Sequence, residues 1–345
     1  MKKIAILFLS LGLLTACVND FEYKPEHTED LLILNATFRQ DDSVHLVWMG
    51  ISALSGIREI QNGQVRCIIN GQTVATGVPL APEEYEEWAF IRSRQKGFRI
   101  RADLKPGDKV VLEASADDGA FHARTEATVP QAAVIRQVDT SGISRQNEDY
   151  TWELVQFRIR LEDIRGEENG YMISAVRDGD LEVKNAGETV RSHKTDNLTL
   201  EYSDDPVLTD GAGYSFLDFD TETYREEQSI PFQDKLFRDE AVSLRVGIRR
   251  GMLDWPPDTY EYTEGSAHFT RRVRLRIDAS PLEDYQYLRA ARTLVNEDYI
   301  PGIMEPVALP TNIEGGTGWF SIQTPVFHEI RLPDMDFDFD NRYYY

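Results

Sequence analysis

Over much of its second half the chain repeats one physical pattern, the alternation of apolar and polar residues with a period of two. Val155, Phe157, Ile159 and Leu161 alternate with Gln156, Arg158, Arg160 and Glu162. Val242, Leu244, Val246 and Ile248 alternate with Ser243, Arg245, Gly247 and Arg249, and Val273, Leu275 and Ile277 with Arg272, Arg274 and Arg276. Successive side chains of an extended strand point to opposite faces, so each segment presents one buried and one wet face. That is the pattern of antiparallel sheets packed on one side.

The first half carries the same period in shorter pieces. Leu31 to Phe38 is a mainly apolar run, and Val44, Leu46 and Trp48 share a face. Asn70-Gly71, between Val65–Ile69 and Gln72–Ala75, predicts a hairpin, because both turn positions can take positive φ. A second hairpin is expected from Phe98–Leu104 through Lys105-Pro106-Gly107-Asp108 to Lys109–Ala114, and Asp117-Asp118-Gly119 turns into a strand ending near Val129-Pro130. Residues 82–90 fit either a short helix or an acidic loop. Strands at turn intervals of about 8–12 residues suggest an immunoglobulin-like sandwich. One helix is expected: Ser280 is a good N-cap, Pro281 suits the first helical position and Glu283 completes a capping box. Leu282, Tyr285, Leu288, Ala291 and Val295 then form one stripe. The fold class predicted is all-β, two β-sandwich domains with one short helix in the second. The expected domains are 31–130, immunoglobulin-like, and 131–333, larger, followed by an acidic-aromatic tail over 334–345.

The N-terminus determines where such a protein sits. Lys2 and Lys3 precede an apolar run from Ile4 to Leu14, the charge and length of a signal peptide. A membrane-spanning helix needs about 20 apolar residues. Leu14, Thr15, Ala16 and Cys17 form a lipobox, predicting cleavage after residue 16 and attachment of lipid at Cys17, with residues 17–30 as a tether. Two or three acyl chains hold a protein firmly where one does not. Val18 after the cysteine, in place of the Asp that retains lipoproteins in the inner membrane, favours the outer membrane; which side of it is left open.

Fifty-nine acidic residues stand against 37 basic ones, a formal charge of −22. Loss of Lys2 and Lys3 with residues 1–16 takes this to −24. Such a balance excludes nucleic acid as a partner, since that binding relies on Lys and Arg neutralising phosphates. Of the two cysteines, Cys17 is the lipid site and Cys67 has no partner. Val65, Cys67 and Ile69 share a strand face, so a buried small hydrophobe is the favoured reading of Cys67.

Signs of chemistry are sparse. The outward arginines (Arg158 with Arg160, Arg245 with Arg249, and Arg272, Arg274 and Arg276) could clamp an anion, but cross-strand ion pairs account for them more cheaply. In the tail, Asp334, Asp336, Asp338 and Asp340 alternate with Met335, Phe337 and Phe339, which would place four carboxylates on one face, a donor set suited to calcium. No EF-hand glycine or distal Glu accompanies them, and an edge strand or solvated tail is the simpler reading. Asp204, Asp205, Asp210, Asp218 and Asp220 read as an acidic loop. The six histidines are scattered without HExxH, no G-x-S-x-G occurs, and Gly315-Gly316-Thr317-Gly318 is a turn with no following Lys. No cofactor is expected beyond that calcium. Trp48 and Trp319 read as core, and Trp255, in Trp255-Pro256-Pro257, as the exposed aromatic candidate for ligand stacking.

Asn312-Ile313-Glu314-Gly315-Gly316-Thr317-Gly318-Trp319-Phe320 resembles the Asn-Ile-x-Gly-Gly-x-Gly-x-Phe segment of Bacteroidota lipoproteins grouped as domain of unknown function 4249. Glu305-Pro306-Val307 is similar to that family's Glu-Pro lead-in. Phe232-Gln233-Asp234-Lys235-Leu236-Phe237 resembles its Phe-x-Asp-x-x-Phe stretch, with Arg238 where Gly is usual. Tyr285, Tyr287 and Leu288 fit its aromatic helix, and the lipobox and Leu104-Lys105-Pro106-Gly107-Asp108 agree in order and place. The resemblance implies an outer-membrane lipoprotein accessory to TonB-dependent receptors, and it carries over no catalytic residue. The expectation is therefore a non-enzymatic, lipid-anchored envelope binding or accessory protein beside a TonB-dependent transporter. The alternatives are a fimbrial or adhesin subunit polymerising by exchange of the strand 334–345, and a glycan or peptide hydrolase.

Overall fold

The computed structural model describes residues 29–53, 56–85, 94–146, 151–185, 187–209, 226–254, 264–295 and 309–339. The expected signal-peptide and lipid-attachment residues, including Leu14, Thr15, Ala16 and Cys17, lie outside these, as do Trp255 and Asp340. The principal strands are β1 (Leu31–Arg39), β2 (Val44–Ala53), β3 (Gly63–Ile69), β4 (Gln72–Thr76), β5 (Lys96–Arg101), β6 (Lys109–Ala116) and β7 (Phe121–Thr128). They continue as β8 (Val134–Gln146), β9 (Thr151–Glu162), β10 (Asn169–Asn185), β11 (Glu188–Asn197), β12 (Ser229–Gln233) and β13 (Ala241–Arg249). A short helix α1 (Arg250–Asp254) precedes β14 (Ser266–Pro281), which runs into helix α2 (Leu282–Val295), and β15 (Phe320–Arg331) and β16 (Met335–Asp338) close the chain.

The fold is all-β and built as sandwiches. One large sheet runs β11-β10-β14-β15-β1-β2-β5. A four-stranded sheet β4-β3-β6-β7 faces its β1-β2-β5 end, enclosing a core of Leu32, Leu34, Phe38, Val47, Met49, Val65, Phe98 and Leu112. A second sheet, led by β8-β9-β13, faces the β10-β14 end over Phe157, Ile159, Leu161, Ile173, Leu244, Val246, Leu275 and Ile277. The buried members of the period-two runs line these cores. Cys67 is fully buried in the first.

The two halves share β15. Its first residues pair in parallel with β1 (Ala36↔Phe320, Arg39↔Gln323), and its remainder pairs antiparallel with β14 (Ala279↔Thr324 to Arg272↔Arg331). Ile313, Phe320 and Ile322 accordingly belong to the first core, although they fall within the span 131–333 assigned to the second domain.

The Asn70-Gly71 hairpin forms as expected, with both residues at positive φ (50° and 82°). The expected hairpin of Phe98–Leu104 with Lys109–Ala114 does not. β5 pairs with β2 in the large sheet, whereas β6 pairs with β3 and β7 in the facing one. Ala102 and Leu104 are buried in the first core, so the chain crosses between the sheets there instead of doubling back. The ambiguous acidic segment begins as a single 3-10 turn, Pro82–Tyr85. The expected cap of α2 is also corrected. Strand β14 continues through Ser280 to Pro281 and the helix begins at Leu282, so Ser280 lies in the strand, with its buried hydroxyl donating to the Gly170 carbonyl at 3.4 Å.

Candidate functional site

The polar residues Asn35, Thr37 and Arg39 alternate with the core residues Leu34, Ala36 and Phe38 along β1 and so occupy the opposite face of the large sheet. Register places Trp48 of β2 beside Asn35, and Ser321 and Gln323 of β15 beside Thr37 and Arg39. Helix α2 leans over this face. Together these elements wall a cleft of about 570 Å³, lined by Asn35, Thr37, Arg39, Asp42, Trp48, Tyr287, Trp319 and Gln323 among others, within the range of about 300–1,000 Å³ for small-ligand sites.

The glycine segment aims Trp319 into the cleft. Asn312 closes the loop, donating Nδ2–H to the Phe320 carbonyl at 2.7 Å and accepting the Phe320 N–H at 2.9 Å. An added Cβ at Gly316 would lie 2.4 Å from the Leu32 carbonyl oxygen, and one at Gly318, where φ is +113°, 2.4 Å from that of Leu34. Only glycine permits so close an approach of the loop to β1. The Trp319 N–H then donates to Asn35 Oδ1 at 3.0 Å.

Asp284 fixes the ring itself. It sits in the first turn of α2, is 4% exposed, and accepts the Trp319 indole N–H at 2.8 Å and the Ser321 hydroxyl. Burial pushes its carboxyl up to about 7, partly opposed by those two donors. Three residues on, and so on the same helix face, Tyr287 stacks on Trp319, centroids 4.6 Å apart and planes 10° from parallel. On the opposite side, Gly97 lets Trp48 lie against β5, where an added Cβ would meet the ring at 2.9 Å.

The charged lining is self-compensating. Arg39 donates to both carboxylate oxygens of Asp42, at 2.9 and 3.3 Å. His45 is buried, stacks on Phe38 at 4.2 Å and donates Nε2–H to the Ala102 carbonyl at 3.0 Å, and burial lowers its pKa.

The other residues singled out in the sequence go elsewhere. Arg272 and Arg274 converge on buried Asp178, Arg276 on Asp278, and Arg249 on Glu226. Arg245 is held by the Asp204 carbonyl. Asp205 accepts the N–H groups of Val207, Leu208 and Arg245, which makes it a turn clamp. Asp210, Asp218 and Asp220 lie outside the described residues. In the tail, β16 pairs with β14 of the same chain (Ala267↔Phe337, Phe269↔Met335), and Phe339 is buried against Leu181, Val183 and Phe269. Asp334 accepts from Arg331 and Asp336 from His268, and no group of three or more potential metal ligands occurs among the described residues. The tail strand is thus already seated in its own chain.

Sequence reading did not single out Asn35, Thr37, Arg39, Gln323 or Asp284. The signal for the first three was present, as polar residues at every second position inside an apolar run. Asp284 carries no local signal, because its burial depends on a strand nearly forty residues away.

The fold and cleft define an all-β sandwich protein with an aromatic-polar pocket on a sheet face. Residues 18–326 match the model of a domain of unknown function, DUF4249, and the chain belongs to that family. No curated protein matches it. Among solved structures it is similar to a DUF4785 family protein from Legionella pneumophila subsp. pneumophila str. Philadelphia 1, at 7% identity and a TM-score of 0.21. The match covers 71% of this chain and 51% of that one, so the chain spans about half the length of that protein.

Proposed function

We propose that this protein is a lipid-anchored binding or accessory protein of the outer-membrane envelope, working beside a TonB-dependent transporter, and that the cleft between β1, β2, β15 and α2 is its binding site. The lipobox at Leu14 to Cys17 supports the anchor, and the family resemblance supports the transporter partner.

The observation that carries binding over catalysis is the state of the titratable groups in the cleft. Arg39 and Asp42 satisfy each other, and His45 is buried and bonded to a backbone carbonyl. A general base must reach the proton it abstracts, and each of these groups is already committed. The seated tail, in turn, disfavours the alternative of strand exchange.

Metabolic labelling with radioactive palmitate is expected to mark the wild type and spare Cys17→Ala. Affinity capture from outer membranes solubilised in detergent is expected to recover a TonB-dependent receptor. Equal labelling of the two chains would remove the anchor, and capture without a receptor would remove the partnership.

A further inference from the structure

We infer that the cleft is a saccharide site, taking a neutral oligosaccharide with one sugar ring against the Tyr287–Trp319 pair and its hydroxyls on Thr37, Arg39, Asp42 and Gln323. The inference rests on the reading of this protein as a binder, and is independent of the anchor and of the transporter.

Three properties of the cleft select this ligand class. The first is position. β1 is flanked on both sides, by β15 and by β2, so its backbone donors and acceptors are spent in the sheet. A peptide recognised by strand addition needs a free edge. A ligand here meets side chains only.

Charge is the second. The Arg39 guanidinium faces Asp42 at 2.9 Å and Asp41 at 3.8 Å, and the chain as a whole stands at −22. An anionic ligand would have to displace Asp42 from Arg39 against that field, so the match is to a ligand without charge.

The third is the mixture of groups. A fatty or wholly apolar ligand would cover the exposed Thr37 hydroxyl and the Gln323 amide without pairing them, at a cost of about 1–3 kcal/mol for each buried group, and would take water from the Arg39–Asp42 pair. A sugar ring has a flat C–H face and a rim of hydroxyls that both donate and accept. Tyr287, half-buried and backed by Trp319, offers an aromatic ring for the face. The ion pair, the amide and the hydroxyl offer donors and acceptors side by side for the rim.

The platform is also set in advance. Asp284 holds the Trp319 indole, Asn35 holds the Trp319 backbone, and the glycine loop fixes both against β1. Ordering before binding lowers the entropy lost on association. Asp284 is a positioning residue in this scheme.

The test uses the full-length protein in a non-glycosidic detergent. Neutral gluco-, manno-, galacto- and xylo-oligosaccharides of two to four units are titrated by tryptophan fluorescence, with sialyllactose and tetra-alanine as controls. At least one neutral series is expected to bind with Kd below about 1 mM. Tyr287→Ala is expected to weaken it about tenfold or more. Thr37→Arg, at an exposed position that tolerates bulk, is expected to abolish it without changing the thermal melt. No binding by any neutral series up to about 10 mM, binding of a control in preference, or binding unchanged by both substitutions would each overturn the assignment. Receptor capture is read separately: capture without sugar binding removes this inference alone, and sugar binding without capture removes only the transporter partnership.

Discussion

Asp284 and Trp319 share a buried hydrogen bond of 2.8 Å that ties the first turn of α2 to the entry of β15. Because the native carboxyl is raised to about 7 from an ordinary value of 3.8, the folded protein binds this proton more tightly than the unfolded chain. The resulting stabilisation is fully present below about pH 4 and is lost as pH rises through about 7. Wild type is therefore expected to lose about 2–4 kcal/mol between pH 4 and 7.5 relative to Asp284→Asn, which has no proton to release. Urea unfolding of both chains at three pH values measures the difference. Parallel curves would show that this carboxyl titrates normally.

The glycine segment gives a graded prediction. Gly318→Ala places a methyl group 2.4 Å from the Leu34 carbonyl oxygen in a left-handed backbone, and a cost of about 3 kcal/mol or more is expected. Gly71→Ala meets the same φ penalty (φ +82°) but open space, so about 1 kcal/mol is expected. Thermal melts of the two variants should therefore separate clearly.

Cys67 has its thiol pushed up to about 11 by burial. In the native protein it is expected to resist iodoacetamide for hours at pH 8 and to alkylate rapidly in urea, since only the thiolate reacts. Mass spectrometry of the intact chain reads the modification directly.

The tail has its own small core. Phe339→Ala removes the ring buried against Phe269 and Val183 and is expected to cost about 3 kcal/mol locally. Hydrogen exchange should then lose protection at 335–338 while the amides of β9 and β13 stay protected. Loss of protection in both places would mean that the tail is coupled to the larger core.

Strands whose buried face alternates with charge were legible from the chain alone, because period two is a local property. Phe157, Leu244 and Leu275 all face the core. The Asn70-Gly71 turn was legible for the same reason, as its conformation depends on two adjacent residues. Partners were less so. The turn at Lys105 to Asp108 looked like a hairpin, but sequence gives no sign that β5 and β6 belong to different sheets. Ser280 and Glu283 had the spacing of a capping box, yet the strand before the helix claimed Ser280 first. The cleft was hidden because its walls come from residues 35–48, 284–287 and 319–323. Its rings read as core, and Trp48 and Trp319 are indeed mostly buried, at 5% and 8% exposure. Only the shared strand shows that they are neighbours.

That shared strand makes the protein a latch closed from its far end. β15 meets β1 across almost the entire length of the chain, so the first sandwich stays open along β1 until the last segment is available. Contacts so distant in sequence form slowly. Neither half can complete its sheet as an early, independent unit during synthesis, and cutting the chain before Phe320 would take Phe320 and Ile322 out of the first core and leave β14 with an open edge.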